Sequence, residues 1–287
     1  MSPNAILVIG ATGSQGGAVA DHLLDRDVEV HALTRDPSQD EALALEDRGA
    51  TPIEGNLEAV DTLESAMDDV DAVYCVTNFW EHGYEAEVEQ GVNAAEAAAA
   101  ADIEHYVYSS VGGAERDTGI SHFDSKYEVE QRIEELDLPA TIVRPVYFMQ
   151  NLEGMRADIL DGTLAMGLER HVPLQLVDVD DIGALVAEAF ADPEQYVGES
   201  IELAGDEHTL EGMAIRFADV TGVDVLAEHV PVDDVRASLG DEYAEMFEWF
   251  NQRGYESELS ALRAEHDVDF TRFEEYLETA GWSDEHS

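Results

Sequence analysis

The sequence predicts an α/β fold in which a doubly wound parallel sheet is combined with a smaller, discontinuous α/β C-terminal lobe. Three observations predict it. Short apolar runs alternate with helical stretches through the first half of the 287 residues, the first run ends in a glycine-rich turn, and the alternation becomes irregular beyond residue 150. Regular alternation of strand and helix is typical of a parallel sheet with helices on both faces.

The predicted strands are apolar runs, several of them rich in β-branched residues, that end at turn residues. They span 5–10, 28–34, 51–54, 72–77, 105–110 and 140–143. Helical periodicity falls between them at 16–24, 41–48, 59–67, 85–101 and 124–136. In the second half we predict strands at 174–177 and 200–203, and helices at 155–161, 181–190, 211–220 and within 241–264.

The sequence also predicts where the chain divides. Residues 1–150 are expected to form the first domain, and residues 151–287 the smaller lobe. The segment Val177-Asp178-Val179-Asp180-Asp181 begins a stretch near 177–190 that is expected to return to the first domain. The boundary is therefore predicted to be discontinuous.

The composition is strongly acidic. Asp and Glu number 65 and Lys and Arg number 14, which gives a formal net charge of −51 spread along the chain. Such a charge repels itself unless salt screens it, and the screening length falls to about 3 Å at molar salt. We therefore expect a cytoplasmic protein of a halophile. Direct binding of nucleic acid is not expected, because it requires Lys and Arg to neutralise phosphates.

Other classes of protein are disfavoured by what the sequence lacks. No run of about 18 apolar residues occurs and no basic segment precedes the first strand, so neither a membrane span nor export is predicted. The single cysteine, Cys75, cannot form a disulfide within the chain and is expected to be a buried strand thiol. The ten histidines form no spaced ligand set, so no metal site is predicted.

The segment GATGSQG at 10–16 lies between an apolar strand and an amphipathic helix. Its glycines permit a tight turn and a close approach of the backbone to a pyrophosphate, whose charge the helix N-terminus favours. A lone glycine pattern is a weak signal, but the flanking strand and helix supply the context that it needs. We therefore predict a Rossmann domain that binds a nicotinamide dinucleotide through Gly10, Thr12, Gly13, Ser14, Gln15 and Gly16.

The end of the second strand favours NADP(H) over NAD. NAD-binding proteins usually have Asp or Glu there to accept from the ribose 2′-hydroxyl, whereas this strand ends in Thr34 and is followed by Arg35. Arg35 can bind a 2′-phosphate through two hydrogen bonds, and Thr34 can add its hydroxyl. Asp36 keeps NAD as the less favoured alternative, unless its carboxylate caps the turn into Pro37.

Three further segments follow predicted strands, at 77–80, 109–113 and 144–148. They are expected at the same edge, because ligands bind beyond the carboxyl ends of parallel strands. There Ser109 or Ser110 can donate to a substrate carbonyl, or their hydroxyls can cap a loop. The remaining residues predicted to contact the cofactor are Asn56, Thr77, Asn78, Phe79, Ser109, Pro145 and Tyr147.

These segments resemble the NmrA-like family, atypical members of the short-chain dehydrogenase/reductase superfamily, in its NADPH-sensor branch. The resemblance covers nearly the whole chain and rests on GATGSQGGAV at 10–19, LTRDP at 33–37, HFDSKYEVE at 122–130 and VDVDDIG at 177–183. The HFDSK block is the most specific. The resemblance implies NADP on the glycine turn, Arg35 at the adenosine phosphate and Lys126 at the nicotinamide ribose.

The chain departs from the superfamily at the proton donor. The resemblance implies a Tyr four residues before Lys126, but this chain has His122 there, and Tyr127 points about 100° around the helix. His122 and Lys126 are the candidate catalytic residues, because a spacing of four places them on one helical face. The imidazole can act as an acid, or it can contact a loop or the cofactor without transferring a proton.

Two functions follow from an intact nucleotide site beside an incomplete catalytic set. The first, which the resemblance favours, is an NADP(H)-binding redox sensor or regulator that acts on a protein partner or a homodimer. The alternative is an NAD(P)H-dependent oxidoreductase for a quinone or a similar conjugated acceptor, with Phe79, Trp80, Tyr147 and Phe148 as a flat aromatic slot. An ordinary sugar or alcohol dehydrogenase is disfavoured by the missing Tyr.

Overall fold

A computed structural model describes residues 3–283 of the chain. It divides into two compact units. Unit 1 comprises Met1–Arg144 and Ile182–Ile201, and unit 2 comprises Pro145–Asp181 and Glu202–Ser287. The chain thus passes between the units three times.

The strands and helices are numbered in chain order. The strands are β1 (Ala5–Ile9), β2 (Glu29–Thr34), β3 (Thr51–Glu54), β4 (Ala72–Val76), β5 (His105–Ser109), β6 (Ala140–Pro145), β7 (Tyr147–Phe148), β8 (Thr163–Met166), β9 (Pro173–Val177), β10 (Ser200–Leu203), β11 (Asp206–Thr209) and β12 (Leu226–His229). The helices are α1 (Ser14–Leu24), α2 (Asp40–Arg48), α3 (Val60–Met67), α4 (Phe79–His82), α5 (Tyr84–Ala100), α6 (Ser121–Glu135), α7 (Arg156–Leu160), α8 (Val179–Ala191), α9 (Pro193–Tyr196), α10 (Leu210–Thr221), α11 (Val232–Leu239), α12 (Asp241–Gln252), α13 (Leu259–Glu265) and α14 (Phe273–Thr279). Two 3₁₀ helices span Ala114–Arg116 and Met149–Met155.

The central sheet has seven strands in the order β10-β6-β5-β4-β1-β2-β3. β1 pairs in parallel with β2 on one side and with β4 on the other, so the strand order reverses direction at β1. β2–β3, β4–β5 and β5–β6 are also parallel pairs. The predicted doubly wound fold class is confirmed, and the turn after β1 lies at the switch point where such sheets bind ligands.

Small residues bring α5 and α6 close together in the core of unit 1. Ala94, Ala95 and Ala98 of α5 are fully buried in the same apolar cluster as Val129 of α6. A Cβ at Gly91 would lie 2.5 Å from Val129 Cγ2, so only glycine fits there without repacking. The alanine-rich helix is therefore a close-packing surface, and this contact fixes the spacing of the polar groups that the two helices carry.

Unit 2 contains two smaller sheets, β11-β9-β7 and β12-β8. Asp181, in the first turn of α8, accepts hydrogen bonds from the backbone N–H and the hydroxyl of Thr271. Burial raises the pKa of this carboxyl to about 7. Asp181 thus fastens the C-terminal part of unit 2 to the end of its first segment.

Three expectations from the sequence concern the single cysteine, membrane-spanning helices and metal-binding groups. Cys75 is a buried thiol in β4, as predicted, and burial raises its pKa to about 11. Within residues 3–283, no helix combines the length and the low polarity needed to cross a bilayer. The same part of the chain holds no group of three or more His, Cys, Asp or Glu side chains arranged to hold a metal ion.

One buried histidine lies at the start of β5, in the core of unit 1. The His105 side chain is 1% exposed, and its Nε2 lies 2.8 Å from the hydroxyl of Thr141, which in turn donates to the carbonyl of Tyr196. The Thr141 hydroxyl therefore accepts from an Nε2–H, as a neutral imidazole provides. Burial lowers the pKa of His105 from 6.5 to about 4.

We predict that His105 weakens the fold as the pH falls. Below about pH 6.5 the unfolded chain binds a proton that the native chain rejects, so the free energy of unfolding drops by up to about 3 kcal/mol as the pH approaches 4. In a His105→Gln variant, the contribution of this histidine to the pH dependence of stability should be absent. Guanidinium denaturation from about pH 4 to pH 8 measures it.

The comparison between variant and parent isolates this histidine. Asp181 acts in the opposite direction over the same range, since its raised pKa makes the native chain bind the extra proton, but it is present in both proteins. His171, whose side chain is 82% exposed, supplies the control variant His171→Gln. An equal stability difference between His105→Gln and the parent at both ends of the range would contradict the prediction.

Candidate functional site

The glycine turn after β1 is closed by its own backbone. Gly10 has φ +82, in the left-handed region, and a Cβ there would lie 2.6 Å from Val76 Cγ1. The Gly13 N–H donates to the Gly10 carbonyl at 2.9 Å, and a Cβ at Gly16 would overlap that same carbonyl. Side chains are thus excluded from the inside of the turn, which leaves backbone N–H groups to face a ligand.

The first turn of α1 is open to an anion. Its N-cap, Gly13, has no side chain to bond the initial N–H groups, and the turn contains no acidic residue. Unbonded N–H groups and the helix dipole together favour a negatively charged ligand. The residues of this turn therefore fit a phosphate.

The two serines at the end of β5 differ in their partners. The Ser109 hydroxyl donates to Gln15 Oε1 at 2.7 Å, so it joins β5 to the start of α1. The Ser110 hydroxyl is also buried, but it has no hydrogen-bond partner among the described residues. Of the two serines, Ser110 is therefore the one whose hydroxyl is not engaged by the described residues, and its predicted role stays a prediction.

At the end of β2, the carboxylate of Asp36 is engaged within its own turn. Asp36 Oδ1 accepts from the N–H of Ser38 at 2.9 Å and from its hydroxyl at 2.6 Å. These hydrogen bonds lower the pKa of the Asp36 carboxyl. Thr34, buried at the strand end, bonds the backbone of Asp36 through its own hydroxyl. The carboxylate thus closes its own turn.

Arg35 extends from this turn toward α4. Its side chain is 66% exposed, and Nη2 donates to Oε1 of Glu81 at 2.9 Å. The Glu81 side chain is 42% exposed, and the same oxygen lies 3.4 Å from Nε2 of His82. Arg35, which is predicted to bind the 2′-phosphate, is therefore paired with a carboxylate that the sequence analysis did not single out.

Two asparagines from the predicted cofactor surface stabilise turns. Asn56 Oδ1 accepts from the N–H of Glu58 at 3.1 Å, in the turn after β3. Asn78 Oδ1 accepts from the N–H of Trp80 at 3.1 Å and so caps α4, a short helix in a segment where only a strand end is predicted. Each side chain shapes the backbone that carries its neighbours.

His122 lies in a cluster of rings. α6 begins at Ser121, so it contains both His122 and Lys126 four residues apart. The buried imidazole lies 4.7 Å from the ring of Phe123, 5.1 Å from Trp80 and 5.7 Å from Phe79, measured between centroids. α4 thus packs its two aromatic side chains against the histidine at the start of α6.

A buried polar cluster surrounds Lys126, the only lysine of the chain. Its Nζ lies 2.9 Å from Oε1 of Glu87, whose side chain is fully buried in α5. Glu87 also accepts from the hydroxyl of Thr77 at 3.0 Å and from that of Ser125 at 2.5 Å. These four residues, the Glu87 cluster, join the end of β4 to α5 and α6.

The ammonium of Lys126 has its donors occupied within the protein. Besides Glu87, it donates to the carbonyl of Thr77 at 3.2 Å and to its hydroxyl at 3.3 Å. An ammonium has three N–H groups, and here three acceptors are in reach. A ligand that accepts from Lys126 therefore has to replace one of the Thr77 acceptors.

Tyr108 lies beside this cluster but is not equivalent to the missing tyrosine. It belongs to β5, its hydroxyl lies 3.2 Å from that of Thr77, and its ring lies 5.8 Å from Nζ of Lys126. Burial raises its pKa well above the ordinary value of a phenol. A phenol so resistant to ionisation supports the hydrogen-bond network and is a poor acid.

A second ion pair fastens α6 to the sheet. Arg144, near the end of β6, donates through Nε to Oε1 of Glu130 at 3.1 Å and through Nη2 to Oε2 at 2.6 Å. Both side chains are largely buried, and the two hydrogen bonds fix the orientation of the guanidinium relative to the carboxylate. α6 is therefore held by Glu130 in its middle and by Ser125 and Lys126 one turn earlier.

Pro145 and Tyr147, also predicted to contact the cofactor, belong to unit 2. There the ring of Tyr147 lies 6.1 Å from that of Phe250, and burial raises its pKa. Their predicted role stays a prediction.

Glu87 and Glu81 are the residues that the sequence analysis missed. Glu87 shares one helical face with Gly91, Ala94 and Ala98, and an acidic residue on a small apolar face is a signal for a buried partner. No comparable signal marks Glu81. It becomes visible only when β2 and α4 are placed in space.

A family model of the NmrA-like family matches residues 2–277. An NmrA-like family domain-containing protein of Dictyostelium discoideum is 28% identical, over 95% of this chain and 96% of its own. A (4-alkanoyl-5-oxo-2,5-dihydrofuran-3-yl)methyl phosphate reductase of Streptomyces griseus is 30% identical, over 83% and 81%. An NAD(P)H azoreductase of Xenophilus azovorans is 31% identical, over 66% and 64%.

Solved structures resemble the whole chain. Triphenylmethane reductase of Citrobacter sp., complexed with NADP(H), has a TM-score of 0.84 at 20% identity and covers 96% of this chain and 99% of its own. An NADPH-dependent quinone oxidoreductase of Escherichia coli, complexed with NADPH, has 0.83 at 22%, with the same coverage. NmrA, a negative transcriptional regulator in complex with NADP, has 0.77 at 19%, over 99% and 96%. From the family match and the shared fold, we conclude that the chain belongs to the NmrA-like family.

Proposed function

We propose that unit 1 binds NADP(H) and that the chain is an NADP(H)-dependent reductase of conjugated acceptors such as quinones and azo dyes. Bound NADPH supplies a hydride, that is two electrons and one proton, and a quinone that receives it takes a second proton from water to become a hydroquinone. The observation that carries the proposal is the ring cluster of Phe79, Trp80 and His122. In this cluster His122 occupies the position at which active members of the superfamily are expected to have a proton-donating Tyr.

The cofactor half of the proposal rests on the two ends of the nucleotide site. The glycine turn excludes side chains, and the open first turn of α1 favours a pyrophosphate. Arg35 stands at the end of β2, while the neighbouring carboxylate of Asp36 is engaged with Ser38. These features favour a 2′-phosphate over a 2′-hydroxyl. Among the related structures, three are NADP(H) complexes.

The acceptor half rests on chemistry that needs no acid from the protein. A conjugated ring delocalises the charge that a hydride brings, so the reduced acceptor can take its proton from solvent. Flat aromatic side chains suit flat acceptors, and Trp80 is 54% exposed in unit 1. Relatives named as azoreductase, triphenylmethane reductase and quinone oxidoreductase point the same way.

A redox sensor or regulator is the second candidate. Its support is the Arg35–Glu81 pair. Glu81 belongs to α4, so this helix connects the arginine that is predicted to bind the 2′-phosphate with the rings around His122. A protein in which cofactor occupancy moves such an element can signal without turning over a substrate. The related negative transcriptional regulator NmrA, solved with NADP, fits this reading.

Arg35→Ala should weaken NADPH binding by about 10- to 100-fold, the effect of losing charge-assisted hydrogen bonds to a phosphate. NADH affinity should change by less than about threefold, because NADH has no 2′-phosphate. Titration calorimetry at molar KCl measures both, since a net charge of −51 calls for strong screening. Arg48→Ala, which removes another half-exposed arginine paired with acids, is the matched control. Equal losses for NADPH and NADH would contradict the 2′-phosphate role.

NADPH oxidation should be catalysed with a panel of quinones and azo dyes, measured at molar KCl against a no-enzyme blank. A His122→Asn variant should keep turnover within about tenfold of the parent, because a general acid ordinarily contributes a factor of 100 or more. A larger loss, with a changed pH profile, would make His122 the proton donor. Tight NADPH binding without any turnover would leave the sensor as the working function.

Lys126→Met should destabilise the chain by about 3–5 kcal/mol, because it leaves the Glu87 carboxylate buried without a counter-ion. The double variant Glu87→Gln, Lys126→Met should recover a large part of that loss. Guanidinium denaturation measures it, and NADPH binding by the double variant then reports the contact of Lys126 with the cofactor alone. Equal stability of the single and double variants would contradict the prediction, since the unpaired Glu87 carboxylate would then not be what destabilises Lys126→Met.

A further inference from the structure

α4 makes contacts in two directions. From one side Glu81 reaches Arg35 at the end of β2. From the other, Phe79 and Trp80 pack on His122 at the start of α6. α4 therefore contacts both Arg35, which is predicted to bind the 2′-phosphate, and His122, which is predicted to lie next to the reaction centre.

The contact between Arg35 and Glu81 is of a kind that a better anion displaces. It consists of one hydrogen bond, from Nη2 to Oε1, between two side chains that are both more than 40% exposed. Exposed pairs of this kind are weak. A phosphate offers the guanidinium two parallel hydrogen bonds and more charge, and it repels the Glu81 carboxylate beside it.

α4 is bounded by an asparagine cap at one end and by a glycine at the other. Gly83 separates the two helices at φ +81, and nothing lies within 4 Å of the position of a Cβ there. Its N–H donates to the carbonyl of Phe79, and Asn78 caps the other end. His82, on the same helix, has its Nε2 3.4 Å from Oε1 of Glu81.

We propose that Glu81 is a specificity-determining residue that makes α4 respond to a 2′-phosphate. The phosphate takes the place of Glu81 on Arg35, and α4, freed from β2, shifts against His122. NAD(H), which carries a 2′-hydroxyl, leaves the pair intact. The inference rests on the proposed binding of NADP(H) and adds the residue through which that cofactor is distinguished and its binding transmitted.

Ligand fragments without nicotinamide separate this path from direct contact. The probes are adenosine 2′,5′-bisphosphate and, as its match lacking the 2′-phosphate, 5′-AMP. Acrylamide quenching of tryptophan fluorescence is the readout, because Trp80 is 54% exposed while Trp249 and Trp282 are 7% and 0% exposed. These are the three tryptophans of the chain, and a Trp80→Phe variant gives the background.

In the parent protein the bisphosphate should raise the quenching of Trp80, and 5′-AMP at saturation should not. Glu81→Gln and Glu81→Ala should bind the bisphosphate about three- to tenfold more tightly, since it no longer competes with a carboxylate. Their Trp80 should already be quenched as in the liganded parent. The gain should shrink as KCl rises, because screening weakens the competing pair.

Two controls test the assignment to Glu81. Glu85→Gln removes an exposed charge from the first turn of α5 and should leave bisphosphate affinity unchanged. With Arg35→Ala in place, adding Glu81→Gln should no longer strengthen binding, because the competition requires the guanidinium.

The outcomes distinguish this inference from the proposed function. A parent that binds neither NADPH nor the bisphosphate would overturn both. A parent that binds both, while neither Glu81 variant binds the bisphosphate more tightly, would overturn the role of Glu81 and leave NADP(H) binding in place. A Trp80 signal that 5′-AMP produces as strongly would overturn the response to the 2′-phosphate.

Discussion

The buried ion pair of Glu87 and Lys126 is the interaction on which the site in unit 1 depends. The two opposite charges are largely buried between a strand end and two helices, so each needs the other, and the carboxylate also needs the hydroxyls of Thr77 and Ser125. Removing one partner of such a pair costs far more than the pair itself contributes. The end of β4, α5 and α6 are therefore held in one arrangement, because any other leaves a charge buried alone.

Close packing makes that arrangement possible. Gly91 lets α5 approach Val129 of α6, which brings Glu87 and Lys126, each about one helical turn before those residues, to contact distance. The bidentate pair of Arg144 and Glu130 then fixes α6 against the sheet. The position of His122, at the N-terminal end of the same helix, follows from contacts made further along it, so its placement is a property of the core.

Much of the fold and part of the site could be predicted from local signals. The strand, glycine turn and helix at 5–24 form a local pattern, and Arg35 follows β2 directly, so neither needs tertiary information. The Glu87–Lys126 pair and the Arg35–Glu81 pair could not be predicted in the same way, because they join residues 39 and 46 positions apart. α4 also escaped prediction, since four residues carry too little periodicity and its cap, Asn78, reads equally well as a loop residue.

The acidic composition changes what ligand binding means for this chain. With 65 carboxylates and 14 basic residues, a basic side chain that could bind a phosphate is expected to have a carboxylate of the protein as a neighbour. Arg35, Lys126 and Arg144 each have a glutamate partner in unit 1. An anionic ligand at such a residue arrives by exchange, replacing a carboxylate that is covalently part of the protein. The proposal for α4 is that exchange at Arg35 shifts the helix that carries Glu81, and among these three pairs the exposed one at Arg35 is the least costly to break. Under that proposal, recognition of the 2′-phosphate and movement of α4 are one physical event.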